Sequence, residues 1–140
     1  MYLDGLKIGE APQSQFALST TLFPIPGMQI QGVYRYYANY YAAWNAPDRI
    51  DPNDTKQSWK VPDYGVFDLH ASYNLPLDLN GVNFELFAHV FNALDEVYIQ
   101  DAVDNSQYNS YTGNGVNHTA DDAEVFFGLP RTFNVGITVT

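Results

Sequence analysis

The chain has 140 residues, 46% of them hydrophobic, which is room for one ordinary domain with a real core. A net charge of -10 with only 6 Lys+Arg excludes the basic patch that nucleic acid requires, and it disfavours a binder of anionic lipid surfaces. There is no cysteine, so disulfides, thiolate metal sites and a cysteine nucleophile are excluded as well.

Met1-Tyr2-Leu3-Asp4-Gly5 has neither the basic nor the apolar region of a secretion signal. The chain is therefore expected either to stay unexported or to be a piece of something longer. From Gln15 onward, Phe16, Leu18 and Leu22 alternate with Gln15, Ala17, Ser19 and Thr21, with Thr20 the one polar residue on the apolar side. Period-two alternation is a strand signature, because successive side chains point to opposite faces. Phe23-Pro24-Ile25-Pro26-Gly27 then reads as a tight turn. A second run follows in which Met28, Ile30, Gly32, Tyr34, Tyr36, Ala38 and Tyr40 oppose Gln29, Gln31, Val33, Arg35, Tyr37, Asn39 and Tyr41.

Residues 42–63 form a long polar connection, and loops of that length inside a compact domain are uncommon unless functional. Phe67, Leu69, Ala71, Tyr73 and Leu75 next alternate with Asp68, His70, Ser72 and Asn74. A short turn at Pro76-Leu77-Asp78-Leu79-Asn80-Gly81 leads to Val82, Phe84, Leu86, Ala88 and Val90, set against Asn83, Glu85, Phe87, His89 and Phe91. A second long connection, 92–124, precedes the last run, where Phe133, Val135, Ile137 and Val139 interleave with Asn134, Gly136 and Thr138.

Each run has about the 9 to 11 residues that a tilted strand needs to cross a bilayer, and short connections alternate with long ones. The pattern predicts an all-β antiparallel up-and-down meander of about five or six strands, a sector of a transmembrane β-barrel. Both short turns fall at one end of such a meander and both long connections at the other, the asymmetry of periplasmic turns and extracellular loops. Among the 11 Tyr and 9 Phe, aromatics are expected in two girdles. Tyr36, Tyr40, Tyr64, Phe126 and Phe127 lie toward the long loops, Phe23 and Tyr73 toward the turns. Gln29, Gln31, Arg35, Tyr37, Asp68, His70, Glu85 and His89 would line the lumen as a hydrated wall.

Three ordered segments resemble the last strands of TonB-dependent outer-membrane receptors. They are Val61-Pro62-Asp63-Tyr64-Gly65-Val66-Phe67-Asp68-Leu69, Val90-Phe91-Asn92-Ala93-Leu94-Asp95-Glu96-Val97-Tyr98 and Ala123-Glu124-Val125-Phe126-Phe127-Gly128-Leu129-Pro130-Arg131-Thr132-Phe133-Asn134-Val135-Gly136. The resemblance covers nearly the whole chain and implies that residues 1–140 are the carboxyl-terminal part of such a barrel, without plug domain, TonB box or signal peptide. It implies structural roles for Asn92, Asp95 and Tyr98, which end the penultimate strand, and for Gly128, Pro130 and Arg131, which open the last. Gly128 is expected to permit an unusual turn, and Pro130 at a strand start costs no ladder bond. Barrels of the family usually end in an aromatic residue, and a residue after Thr140 would fall in register with Val139 and Ile137.

The implied function is that of a fragment of an outer-membrane transporter for a siderophore, vitamin B12, a metal chelate or an oligosaccharide. Its partners would be outer-membrane lipid, the remaining barrel strands and the plug, with TonB acting only through that plug. The implied location is the bacterial outer membrane, long loops outside and the carboxyl terminus periplasmic. A second reading is a secreted or periplasmic glycan-binding β-sandwich with Trp44 and Trp59 as stacking platforms.

Catalytic, metal and cofactor signals are thin, and the chain is expected not to be an enzyme and to carry no cofactor. Asp68, His70 and Ser72 are colinear on one strand face, which cannot set an acid and a serine on opposite sides of an imidazole. Asp95, Glu96, Asp101, Asp104, Asn105, Asp121, Asp122 and Glu124 supply oxygens for a cation but lack EF-hand spacing, so they read as a solvated acidic loop. His70, His89 and His118 show no H-x-x-x-H pairing and read as polar lining residues.

Overall fold

The computed structural model describes residues 3–77, 81–109 and 116–140. Readings that rest on Met1 and Tyr2, or on Asp78, Leu79 and Asn80 of the second short turn, lie outside the described residues. The strands in chain order are β1 (Ser14–Leu22), β2 (Met28–Ala38), β3 (Tyr40–Tyr41), β4 (Lys60–Val61), β5 (Tyr64–Asn74), β6 (Phe84–Phe91), β7 (Ile99–Asp104), β8 (Ala123–Phe127) and β9 (Thr132–Val139). The fold is all-β, and the five long strands predicted from period-two alternation are all present.

Those five strands form one antiparallel sheet in the order β1-β2-β5-β6-β9, with β1 and β9 as its edges. In register, Leu69 faces Val90 and Val90 faces Phe133, while His70 faces His89 and His89 faces Asn134. Directly opposed residues share a face, so the rows alternate apolar and polar across the sheet as they do along each strand. At the β1–β2 turn Gly27 has φ 81°, and a Cβ there would lie 2.9 Å from the Asn74 carbonyl oxygen. Only glycine meets both demands.

The chain divides into two compact units, one of Met1–Gln15, Tyr37–Tyr64 and Val97–Gly128, the other of Phe16–Tyr36, Gly65–Glu96 and Leu129–Thr140. The second holds most of the long sheet, and its burial is inverted. Among its described residues the buried ones are Asp68 and Asn92, both polar. Its apolar face is open along both edges: Phe133, Val135, Ile137 and Val139 are 54–76% exposed, and Phe16, Leu18 and Leu22 are 57–60% exposed. A sheet folding in water on its own would bury one of its faces, and a sandwich would bury it under a second sheet.

The first unit has a conventional core of Tyr40, Ala42, Val61 and Ala102, with Trp59, Ile99 and Val125 packed against it. The connections read as loops carry strands here: β3 pairs with β4, and β7 with β8. Asn39, at φ 56°, separates β3 from β2. The two connections are stitched together, Ala43 N–H donating to the Ala102 carbonyl (2.7 Å) and Asp104 N–H to the Ala43 carbonyl (2.8 Å). Their few apolar residues converge from distant positions, a pattern hidden by the surrounding Asn, Asp, Gly and Pro. Tyr40 consequently leaves the predicted girdle, being 7% exposed with its hydroxyl donating to Asp101 Oδ1 at 2.8 Å. Burial, that hydrogen bond and the nearby negative charge push its phenol well above the usual range.

Candidate functional site

The polar face of the sheet unit gathers most of the residues predicted to line a lumen. Arg35 on β2 forms an ion pair with Asp68 on β5, and Asp68 is 5% exposed. The other carboxylate oxygen of Asp68 accepts the Asn92 backbone N–H at 2.9 Å, so both oxygens are engaged. One row further, His70 and His89 meet with their Nδ1 atoms 2.9 Å apart. Glu85 lies opposite Asn74 and Thr138 and lines a recess of about 550 Å³ at the β1–β2 turn, together with Phe23, Met28, Gln29 and Ser72.

Where β6 ends and β9 begins, the motif residues of the resemblance form a joint. Asn92 is buried at φ 50°, a left-handed conformation that asparagine tolerates better than most residues. Its Nδ2 donates to the carbonyls of Glu96 (2.9 Å) and Leu129 (3.1 Å), while its Oδ1 accepts the Glu96 N–H at 2.9 Å. Asp95 Oδ1 accepts the Arg131 N–H at 3.0 Å, and the two side chains approach to 3.6 Å. Pro130 precedes β9 by two residues, where its missing N–H costs no ladder bond.

In the other unit, Tyr37, Tyr64 and Tyr98 form a ladder, with ring centroids 5.1 Å apart for the first pair and 4.5 Å for the second. Tyr64, placed in the outer girdle by sequence, is thus engaged with Tyr37. Gly128 closes the end of this ladder, its N–H donating to the Tyr98 carbonyl at 2.9 Å. Its role differs from the expected turn: it is not among the positive-φ glycines, and a Cβ at this position would lie 2.0–2.5 Å from the Tyr98 ring. The glycine is needed for space. Gly128→Ala is expected to displace the ring and cost about 1–3 kcal/mol of unfolding free energy, the usual range for overpacking. Tyr98→Ala should remove most of that penalty in the double variant, which a double-mutant cycle by denaturant unfolding would measure.

The same unit contains a buried charged cluster built from both long connections. His118 Nδ1 lies 2.5 Å from Asp104 Oδ2 and its Nε2 3.2 Å from both Asp54 oxygens. Arg49 Nη1 donates to Asp54 (2.8 Å) and to the Lys56 carbonyl (3.0 Å). Ser106 N–H donates to Asp104 Oδ1 (3.0 Å), while Ser106 Oγ accepts the His118 N–H (2.8 Å). Both imidazole nitrogens therefore face carboxylates, and only the imidazolium can donate to both. Burial works against that charge and Arg49 adds repulsion, but the bonds to Asp104 and Asp54 prevail and hold the His118 pKa above its ordinary value. Burial likewise disfavours the Asp104 carboxylate, and the bonds from His118 and Ser106 outweigh it, so its pKa lies below the ordinary range.

The chain matches no family model, no curated protein and no solved structure.

Of the lumen candidates, Arg35 and Asp68 are brought together, as are His70 and His89; Glu85 stands apart and Tyr37 belongs to the tyrosine ladder. The acidic residues of the second connection are dispersed, Asp95 to Arg131, Asp101 to Tyr40 and Asp104 to His118. Among the described residues no group of three His, Asp or Glu is placed to hold a metal ion. Both tryptophans have internal partners: Trp44 Nε1–H donates to the Lys7 carbonyl at 2.9 Å under the Arg49 guanidinium, and Trp59 packs on the core. Sequence reasoning missed the Arg49–Asp54–Asp104–Ser106–His118 cluster. A histidine, an arginine and serine among acids in two polar connections was its only trace.

Proposed function

We propose that this chain is a wall segment of a TonB-dependent outer-membrane transporter, its five long strands crossing the bilayer and its long connections facing outward. The observation that carries this reading is the inverted burial of the sheet unit, whose only buried described residues are Asp68 and Asn92. Lipid would cover Phe133, Val135, Ile137, Val139, Phe16, Leu18 and Leu22 without a second protein layer. The Arg35–Asp68 pair and the two histidines would face a hydrated lumen. Further strands would pair with β1 and β9, since lipid does not tolerate open edges. The clasped connections would form part of the ligand entrance for a siderophore, vitamin B12, another metal chelate or an oligosaccharide, with energy arriving from TonB through a plug.

The absence of native cysteine makes the test direct. Nitroxide labels placed one at a time at positions 133 to 139, with the chain reconstituted in bilayers, should alternate in collision accessibility. Positions 133, 135, 137 and 139 should favour oxygen, which partitions into lipid; 134, 136 and 138 should favour a water-soluble nickel chelate. Uniform access of the nickel chelate along β9 would overturn the proposal.

A further inference from the structure

We infer that His70 and His89 form a two-imidazole chelate for a divalent transition-metal ion of tetragonal preference, copper or nickel in chemical class. The two residues are directly opposed in the β5–β6 register, so one hairpin presents both rings on the same face. Their Nδ1 atoms stand 2.9 Å apart. Metal–imidazole bonds of about 2.0–2.1 Å meeting at 90° place two donors about 2.9 Å apart, whereas tetrahedral angles would need about 3.3 Å. The observed separation, held by a hydrogen bond, already brings both nitrogens close to the spacing of the cis edge of a square-planar or octahedral ion.

Without metal, the pair is joined by one Nδ1–H···Nδ1 bond, which makes one ring the donor and the other the acceptor. Metal entry needs the donor ring to carry its proton on Nε2 instead, freeing both Nδ1 lone pairs. No proton is lost in that tautomer exchange. Each ring must also tilt so that its lone pair points at a common centre, a rotation about χ2, which is broad for histidine. Because Nδ1 lies off the Cβ–Cγ axis, that rotation also shifts each nitrogen, and the two settle at a separation that one ion can bridge.

The surroundings favour retention of an ion. Phe91 lies 5.6 Å from the His70 ring, and Phe87 lies 5.4 Å from that of His89, centroid to centroid. These rings displace water and limit the positions available to the imidazoles, as the apolar shell of a metal site does. Asn134 is directly opposite His89 on β9, which puts a neutral amide next to the site, and water would complete the coordination. The carboxylate nearest along β5, Asp68, is engaged by Arg35 and by the Asn92 N–H, so the imidazoles are the donors at hand. Because both belong to one hairpin, the site does not depend on the transporter reading.

The test is titration of the full chain, folded in detergent micelles and freed of metal, with Cu²⁺. The expected result is one ion per chain, with two equivalent nitrogens in the copper spin-resonance spectrum. His70→Gln and His89→Gln should each weaken binding by at least the roughly 10- to 100-fold that loss of a mere outer-shell partner costs. Should a variant fail to fold, the wild-type chain gives a second readout. Copper should broaden amide resonances around positions 70, 89 and 134 first. Two-nitrogen binding that survives the double substitution, broadening confined to other segments, or no binding at all would overturn the inference.

Discussion

Replacing Asn92 by alanine is expected to destabilise the sheet unit by about 3–4 kcal/mol, read as a shift in denaturant unfolding of the chain in detergent micelles. Three hydrogen bonds end on this side chain, two donated to the Glu96 and Leu129 carbonyls and one accepted from the Glu96 N–H. Each contributes on the order of 1 kcal/mol, and more where the partner is left buried and unpaired. Alanine also tolerates φ 50° less well than asparagine, a difference smaller than the roughly 1–2 kcal/mol that the left-handed conformation costs an ordinary residue. Two further variants separate these terms. Asn92→Gly relieves the backbone and loses all three bonds; Asn92→Asp keeps the acceptor for Glu96 N–H but turns a buried carboxylate oxygen on the Glu96 and Leu129 carbonyls. The expected order of stability is wild type, then Gly, then Ala, with Asp no better than Ala. A loss below about 1 kcal/mol for alanine would mean that the joint between β6 and β9 is held elsewhere, by Asp95 and Arg131.

What could be read from the sequence was whatever depends on one strand at a time. Alternation at period two located five strands and assigned Arg35, Asp68, His70, Glu85 and His89 to one face, because side-chain direction in a strand follows from parity alone. Pairing is a different matter. His70 and His89 are 19 residues apart, and their contact needs the hairpin register, which the turn sets and which a one-residue slip would destroy. The charged cluster was further out of reach, since Arg49, Asp54, Asp104, Ser106 and His118 come from two connections with no shared period. Composition misled there: the polar bulk of the connections concealed Tyr40, Ala42, Val61 and Ala102, which converge into a core. Gly128 shows a subtler limit. A glycine in sequence signals either a backbone angle or a lack of room, and only the position of the Tyr98 ring decides between them.

The largest effect is expected at His118. Its side chain is 5% exposed, that of Asp104 2% and that of Asp54 12%, so His118→Ala leaves two largely buried carboxylates, Asp54 with Arg49 and Asp104 with the Ser106 N–H. Removing one partner of a buried ion pair typically costs about 3–5 kcal/mol. The pH dependence gives a sharper signature than the magnitude. The folded-state pKa of His118 is raised, so its contribution is fully present below the ordinary value of 6.5 and is lost as pH rises through the folded value. Asp104 runs the other way, contributing above its ordinary 3.8 and losing that contribution as pH falls through its depressed folded value. Stability of the clasped connections should therefore be greatest between about 4 and 6.5 and decline on the alkaline side. Amide exchange at Ala43, Asp104 and His118, whose N–H groups bind within this unit, reports opening of the connections independently of the sheet. In wild type, protection at these amides should fall as pH rises above 6.5, after correction for intrinsic exchange. In His118→Gln it should be lower at pH 5 and flat across the same range. Equal pH slopes in the two proteins would show that the connections are held by their core and their backbone bonds, with the charged cluster a passenger.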